Sequence, residues 1–319
     1  MGRELQRAFL WIIFAMSLFM LWDAWQVYNG KPSYFAETEN QQVATAESVP
    51  GSATVVQQPV ITDVNATIQQ PVVVTTDLFK LTFDEMGATV ARAELLQERE
   101  TADWTHEGVP GLVFGEAESE PGNVVLFDTS ASRIYKAETG LVGGSFPNHR
   151  TVFKLMSQEL TMKDGQETLE VKFVADNGGV QLIKTFVLQR GHYGINVKHE
   201  VVNNGNIAIT PSVYMQLTRD NGAVATQSSM YNTYTGPAVY TEEEKFQKLS
   251  FDSLADGDKD YPTYANEGWI AMLQHYFLTA WVPQDGEKRE IYARQIDKNL
   301  FAIGSIVAVG EVAPGASKT

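Results

Sequence analysis

The sequence predicts a mainly β protein, an antiparallel sandwich that follows one membrane-spanning helix at the N-terminus. Two observations predict the sandwich: short runs of β-branched and aromatic residues recur from about Val72 onward, and Asn-Gly and Asp-Gly turns separate many of them. A third observation predicts the helix, because a long apolar run occurs at residues 8–25.

The apolar run at residues 8–25, with one acid near its end, nearly fills the hydrocarbon core of a bilayer, which takes about 20 residues as a helix. Arg3 and Arg7 precede this run. Because basic residues are retained on the cytoplasmic side, we expect residues 1–7 to stay in the cytoplasm and the remainder to be exported.

The residues at the two ends of this run indicate that the helix is an uncleaved signal anchor. Trp11, Trp22 and Trp25 lie toward the ends, where indole rings favour the headgroup layer. A cleavable signal peptide is the alternative, but it would have a shorter apolar region followed by small residues, and the chain reads Trp-Asp-Ala-Trp-Gln there. A buried core helix is the remaining alternative; an amphipathic helix would show a polar face, which this run lacks.

Composition limits the partners and sites that the exported part can have. Acidic residues outnumber basic ones by 39 to 24, a net charge of −15, which argues against nucleic acid as a partner. The chain has no cysteine, so thiolate nucleophiles, disulfides and cysteine-based zinc sites are excluded. We expect an ordinary hydrophobic core and no cofactor.

A change of composition divides the exported part. Residues 26–71 are rich in Gln, Thr, Ser, Ala, Val and Pro and keep no period, which predicts a flexible polar linker. Residues 72–319 show the β pattern and are predicted to form the folded domain. Six runs there resemble strands: 72–76, 78–83, 169–174, 180–188, 195–202 and 207–217. Asp164-Gly165 and Asn204-Gly205 supply the positive φ of tight turns and are predicted hairpins.

One helix is predicted inside the β domain. Thr241 and Glu244 have the spacing of a capping box, with Thr241 as the N-cap. Phe246, Leu249 and Leu254 would form its apolar stripe.

The aromatic run at residues 269–283 is predicted to form two adjacent buried strands joined near Gln274 and His275. Gly268 and Pro283 bound this run. A ligand cleft lined by Trp269 and Trp281 is the functional alternative.

No catalytic or metal-binding motif is recognisable. The five histidines lack the i, i+4 spacing of a helical metal site, and no nucleophile-elbow, P-loop or dinucleotide-binding pattern occurs. His199, beside Glu200 on a predicted strand, is expected to be a surface histidine with its hydrogen bonds satisfied, and His275 a core or turn residue. Carboxylates are plentiful, but none is singled out as half of an acid/base pair. We therefore expect a protein that is not an enzyme.

Several long motifs carry a resemblance to a known family. Residues 75–96, 184–193, 244–252 and 268–283, with the Leu-Trp-Asp-Ala-Trp end of the apolar run, closely resemble the anchor and periplasmic region of bacterial membrane protein insertases of the Oxa/YidC/Alb family. Members of that family continue into five further transmembrane helices. We expect this chain to lack that core and to hold a periplasmic domain that is incomplete at its C-terminus.

The resemblance implies a β-supersandwich similar to galactose mutarotase, located on the periplasmic side of the bacterial inner membrane. It also implies a function: assisting nascent inner-membrane proteins to insert and fold, with and without the Sec translocon. The implied partners are the lipid bilayer, those nascent proteins, and the Sec translocon with its accessory subunits. A membrane-tethered carbohydrate-binding module or aldose epimerase on the same fold is the alternative, although fold similarity alone does not assign an activity.

Overall fold

Strands dominate the part of the chain that the structure, a computed structural model, describes: residues 71–99, 122–130, 133–222, 234–274 and 276–319. The largest sheet contains β1 (Val72–Thr75), β2 (Phe79–Asp84), β3 (Thr89–Arg99), β4 (Asn123–Val125), β5 (Asp128–Ser130), β6 (Arg133–Val142), β11 (Ser212–Asp220), β14 (Tyr264–Ala265), β17 (Arg289–Asp297) and β18 (Leu300–Ala308). A five-stranded sheet contains β7 (Lys154–Leu155), β8 (Thr168–Asn177), β9 (Val180–Gln189), β10 (Ile195–Asn203) and β19 (Ser317–Lys318). A four-stranded sheet contains β12 (Thr235–Thr241), β13 (Lys245–Lys248), β15 (Trp269–Gln274) and β16 (Phe277–Trp281).

Every pair of neighbouring strands in these sheets is antiparallel. The ten-stranded sheet has the order β1-β2-β3-β6-β11-β18-β17-β14, with β4 beside β3 and β5 beside β6. The smaller sheets have the orders β19-β10-β9-β8-β7 and β13-β12-β15-β16. One helix is described, α1 (Phe251–Ala255).

Two hydrophobic cores lie side by side under the large sheet. The first core joins β1–β3 to the five-stranded sheet, and in it the Phe83 ring contacts Phe173 and Phe186, with centroids 5.2 and 4.8 Å apart. The second core joins the other half of the large sheet to the four-stranded sheet, for example through Ile303 and Ile270. One large sheet covered by two smaller ones forms a β-supersandwich, so the predicted mainly β fold class is confirmed.

The alternation of residue types located most of the predicted strands correctly. The runs at 72–76, 78–83, 169–174, 180–188 and 195–202 coincide with β1, β2, β8, β9 and β10. The sixth run, 207–217, is strand only from Ser212, because residues 204–211 carry the chain from one sheet to another. The hairpin predicted at Asn204-Gly205 is therefore wrong, whereas Asp164-Gly165 does form a tight turn between the paired strands β7 and β8.

The helix predicted at Thr241 is wrong. The Glu244 N–H does donate to Thr241 Oγ1 (3.1 Å), as in a capping box, but this bond closes the turn between β12 and β13. Lys245 then adopts a φ of 60° and the chain turns back as a strand. The helix α1 begins ten residues later, after Ser250, whose side chain accepts from Ser253 N (2.9 Å).

The aromatic run at residues 269–283 forms the two predicted strands, β15 and β16, paired from Ile270–Trp281 to Gln274–Phe277. The prediction that both are buried central strands is wrong for β16. That strand ends the four-stranded sheet, and its Leu278 is 53% exposed.

No helix in the described residues has the length and apolarity needed to cross a membrane. The predicted anchor residues Arg3, Arg7, Trp11, Trp22 and Trp25 lie outside those residues, as does His275. The predicted domain boundaries therefore stay predictions.

Candidate functional site

The face of the ten-stranded sheet that points away from both cores carries a cluster of polar side chains. Along β11, Leu217 packs into the second core, so Gln216 and Thr218 project to the opposite face. Glu138 of β6 lies directly opposite Gln216 and shares that face. Gln216 Nε2 and Thr218 Oγ1 each donate to Glu138 Oε2 (2.7 Å), and Gln216 Oε1 accepts from the Tyr292 hydroxyl (2.8 Å). We call these residues, with Lys136, the Glu138 cluster.

The carboxylate at the centre of the Glu138 cluster stays ionised. Glu138 is 3% exposed, and Lys136 Nζ lies 2.7 Å from its Oε1. Burial by itself would raise the pKa of Glu138, but the charges of Lys136 and His149 and the hydrogen bonds from Lys136 and Thr218 lower it below its ordinary value. A carboxylic acid that donates a proton in catalysis needs a raised pKa. The cluster therefore joins strands β6 and β11, and its chemistry is unsuited to a general acid.

Tyrosine rings fill the same face at two glycines. A Cβ at Gly304 would lie 2.2 Å from Cζ and the hydroxyl oxygen of Tyr292, and one at Gly140 would lie 2.7 Å from the Tyr214 hydroxyl oxygen. The Tyr214 hydroxyl also accepts from the His149 N–H (2.9 Å) and bonds to Nδ1 of that ring. Burial raises the pKa of both tyrosines above the ordinary value. At these points the protein itself occupies the space that a ligand on the sheet would need.

A second polar group lies between the large sheet and the five-stranded sheet. Lys184 points into the first core from β9 and is fully buried. Its Nζ donates to the carbonyls of Gly87 (2.6 Å) and Thr139 (2.7 Å) and lies 4.6 Å from the Phe153 ring centroid. His199 lies opposite Lys184 on β10, shares its inward face and is half-buried, so the predicted surface position is wrong. Its Nε2 bonds to Thr139 Oγ1 (2.9 Å), so the predicted hydrogen bonding is present.

Burial controls the ionisation of both groups. It lowers the pKa of Lys184 to about 7, although the charge of Glu138 acts in the opposite direction. It lowers the pKa of His199 to about 3, with a further contribution from the charge of Lys184. His199 is therefore neutral at physiological pH, and Lys184 links two sheets at a position where its own charge is disfavoured.

The two tryptophans proposed for a cleft lie on opposite faces of the four-stranded sheet. Trp281 is paired with Ile270 and packs with it in the second core, where its Nε1 donates to the Gln216 carbonyl (3.1 Å). Trp269 precedes Ile270, so its side chain projects to the outer face. The structure does not bring the two rings together into one cleft.

Trp269 belongs instead to a row of aromatic rings across three strands. It stacks on Tyr240 (centroids 5.7 Å apart, 14° between planes) and tilts against Phe246 (5.9 Å). Phe246 is 47% exposed. The sequence showed these residues only as parts of separate runs, because the register of β13, β12 and β15 decides that they meet.

No group of acidic or histidine side chains suited to a metal ion occurs among the described residues. Sequence reasoning singled out neither Glu138 nor Lys184. Lys184 did leave a signal, since it interrupts an alternating apolar stripe at a position where the stripe predicts burial. Glu138 left none, because its partners come from β11, far along the chain.

Comparison with known proteins identifies relatives of the chain. The family model described as the YidC periplasmic domain matches residues 71–319. Proteins named membrane protein insertase YidC from Cupriavidus necator and Janthinobacterium sp. (strain Marseille) are 40% and 36% identical over 99% of this chain. That from Bordetella petrii is 40% identical over 98% of it. The chain spans 56% of the length of each.

Solved structures that match this chain have low sequence identity to it. A galactose mutarotase related enzyme from Lactobacillus acidophilus is 10% identical, with a TM-score of 0.43, over 78% of this chain and 94% of that one. A galactose mutarotase-like protein from Lactobacillus casei is 12% identical, with a TM-score of 0.39, over 78% of this chain and 97% of that one.

Proposed function

Because the chain belongs to the YidC periplasmic domain family, we propose that it is the periplasmic accessory region of a membrane protein insertase. In this proposal residues 8–25 anchor it in the inner membrane with the N-terminus in the cytoplasm, and residues 26–71 connect the anchor to the β-supersandwich. The β domain then contacts nascent inner-membrane proteins as their segments leave the bilayer, both with and without the Sec translocon.

The observation that carries this proposal is the match of residues 71–319 to the family, together with an apolar run placed before them in the same chain. A role as aldose epimerase or carbohydrate-binding module has less support. The one buried carboxylate of the described residues, Glu138, is engaged by Lys136, Gln216 and Thr218, and tyrosine rings cover the sheet beside it.

Photo-crosslinking in living cells tests the contact with nascent proteins. A photoreactive amino acid placed at Met156 or Tyr264, which are 62% and 60% exposed, should crosslink to a nascent inner-membrane protein and to Sec subunits when the substrate needs them. The matched control is the same residue at buried Ile303, with a soluble secreted protein as a control substrate. Absence of crosslinks from both exposed positions would contradict the proposal.

The absence of cysteine allows a direct test of the proposed topology. In the single-cysteine variant Ile207→Cys, the thiol at a 70% exposed position should react with a membrane-impermeant maleimide once the outer membrane is permeabilised. Gly2→Cys should react only after the inner membrane is opened. Labelling of both before that step would refute a cytoplasmic N-terminus.

A further inference from the structure

Eight strands of the described residues have a neighbouring strand on one side only, and seven of them are short, charged or covered. β4 and β5 have three residues each. β7, β14 and β19 have two residues each, and β13 begins and ends with lysine. β1 is covered, because the Thr75 N–H donates to the Leu160 carbonyl and the Met162 N–H donates to the Thr75 carbonyl, both at 2.8 Å. Such devices prevent an edge from pairing with another chain.

The eighth edge strand, β16, has none of these protections. Its five residues, Phe-Leu-Thr-Ala-Trp, contain no charge and no proline, and its pairing with β15 shows no register shift. Leu278 is 53% exposed, and Val282, just beyond the strand, is 69% exposed. The strand is therefore regular, apolar and accessible at its outer face.

The hydrogen-bond pattern shows which backbone groups of β16 are unpaired. The Pro237 carbonyl accepts from the Leu249 N–H (2.9 Å), so the backbone of Pro237 is directed toward β13 and away from β15. Met272 of β15, which is paired with Pro237, therefore makes no backbone bond to β12. Its backbone must bond to Thr279 of β16, since bonded and non-bonded pairs alternate in antiparallel sheets. The N–H and C=O groups of Leu278 and Ala280 consequently point away from β15, and no described strand pairs with them.

We propose that β16 is a docking edge for an extended, uncharged segment of an unfolded polypeptide, which adds as a fifth strand to the four-stranded sheet. Only an extended backbone offers donors and acceptors at the spacing of Leu278 and Ala280. In the docked segment, the side chains on the same face of the sheet as Leu278 and Ala280 should be apolar and β-branched, because such side chains fit an apolar pleated surface. This inference rests on the proposed function, in which the segment belongs to a nascent inner-membrane protein.

A second copy of this chain is a poorer occupant of the edge. Each copy carries a net charge of −15, and Asp285 and Glu287 lie within six residues of the end of β16. Pairing two β16 edges would bring like charges together, which opposes association. An uncharged segment meets no such repulsion.

A peptide-binding measurement tests the docking edge with the full chain in detergent micelles. The probe is a fluorescent peptide of about eight alternating valine and threonine residues, close to the length of a strand, with lysines at both ends. Its control has the same sequence and charge but is N-methylated at every valine and threonine, which removes the donors of both edges. Ala280→Pro removes an N–H donor of the edge, and Leu278→Lys places a charge on the apolar face where the peptide would lie. Each should weaken binding by about tenfold.

The substitutions are chosen so that the fold is retained. The Ala280 N–H points away from β15, so proline removes no bond of the native sheet, and the exposed Leu278 can carry a charge into water. Ile207→Lys adds the same charge at another exposed apolar position and should leave the affinity unchanged. Amide exchange at Leu278 and Ala280 should slow when the peptide binds.

Three results would overturn the inference: equal binding of the N-methylated peptide, unchanged affinity in both edge variants, or dimerisation of the free chain through β16. The crosslinking from Met156 separates this inference from the proposed function. If those crosslinks persist while the peptide does not bind β16, only the docking edge is wrong. If the peptide binds β16 but no nascent protein is crosslinked, the edge stands and the proposed function fails.

Discussion

Replacing Lys184 by methionine should change how the stability of the protein depends on pH. In the folded protein burial lowers the pKa of Lys184 to about 7, whereas in the unfolded chain a lysine titrates at about 10.4. Between these values the unfolded chain binds more protons than the folded one, so the free energy of unfolding rises with pH. Methionine has no proton to bind and removes this dependence.

The magnitude follows from the two pKa values. The stability that the protein gains from deprotonation of Lys184 is fully present above the pKa of this lysine in the unfolded chain. It is lost as the pH falls toward the pKa of Lys184 in the folded protein. Integrated from about pH 7 to about pH 9, it amounts to about 2 kcal/mol. The other titratable groups near Lys184 keep their state in this window, because Glu138 has a lowered pKa and His199 one of about 3. The destabilisation caused by Lys184→Met should therefore grow by about 2 kcal/mol over this range.

Urea unfolding followed by tryptophan fluorescence at several pH values measures this difference. Lys198→Met removes an exposed lysine of the neighbouring strand β10 and should show no such trend. The difference between wild type and Lys184→Met would stay constant across the window if Lys184 kept an ordinary pKa in the folded state. That result would refute the argument that its ammonium group is desolvated between the sheets.

Three further outcomes are expected. Gly304→Ala should lower stability by about 1–3 kcal/mol, measured by thermal unfolding, because its Cβ would lie 2.2 Å from the Tyr292 ring. Arg289→Met should cost about 3 kcal/mol or more in urea unfolding, because the buried guanidinium donates to five backbone carbonyls. Replacing Arg3 and Arg7 by glutamate should reduce the fraction of chains with a cytoplasmic N-terminus, as read from maleimide labelling.

The two stability outcomes each have a control variant. Gly122→Ala, where a Cβ would meet no atom within 4 Å, should leave thermal stability unchanged. Arg289→Lys should recover part of the lost stability, since an ammonium group can satisfy some of the carbonyls. Unchanged orientation after the charge reversal at the N-terminus would contradict the predicted signal anchor.

The strands were predictable where local alternation alone decides them. In β9 every second residue from Val180 to Leu188 is buried, and that period of two is visible in the sequence. The tight turn Gly178-Gly179, with φ of 61° and 75°, follows from glycine chemistry in the same way. What the sequence leaves open is the assignment of strands to sheets, because β6, β11 and β18 are neighbours despite long separations in the chain.

The wrongly predicted helix shows how a local signal fails. The bond from the Glu244 N–H to Thr241 Oγ1 forms, so the local chemistry was read correctly. The same bond serves either a helix start or a turn, and the pairing of Tyr240 with both Phe246 and Trp269 selects the turn. Tertiary pairing overrides a capping preference worth only about 1 kcal/mol.

The polar contacts between distant strands were beyond sequence reasoning for a related reason. Glu138 needs Gln216 and Thr218 of another strand. Lys184 needs the carbonyls of Gly87, in the turn between β2 and β3, and of Thr139. A single sequence reveals that a charged residue interrupts an apolar stripe, but it does not reveal which carbonyl will accept its hydrogen bond. The same limit applies to the faces of Trp269 and Trp281, which depend on register.

Arg289 connects the stability of the fold to the proposed docking edge. Its guanidinium donates to the carbonyls of Asn266 and Gly268, just before β15, and to those of Pro283 and Gln284, just after β16. One buried side chain thus holds both ends of the β15–β16 hairpin. An edge fixed in this way loses little conformational freedom when a segment pairs with it, which favours binding. Arg289→Met should therefore weaken peptide binding although Arg289 lies outside β16, and unchanged affinity in a folded variant would show that the edge needs no such support.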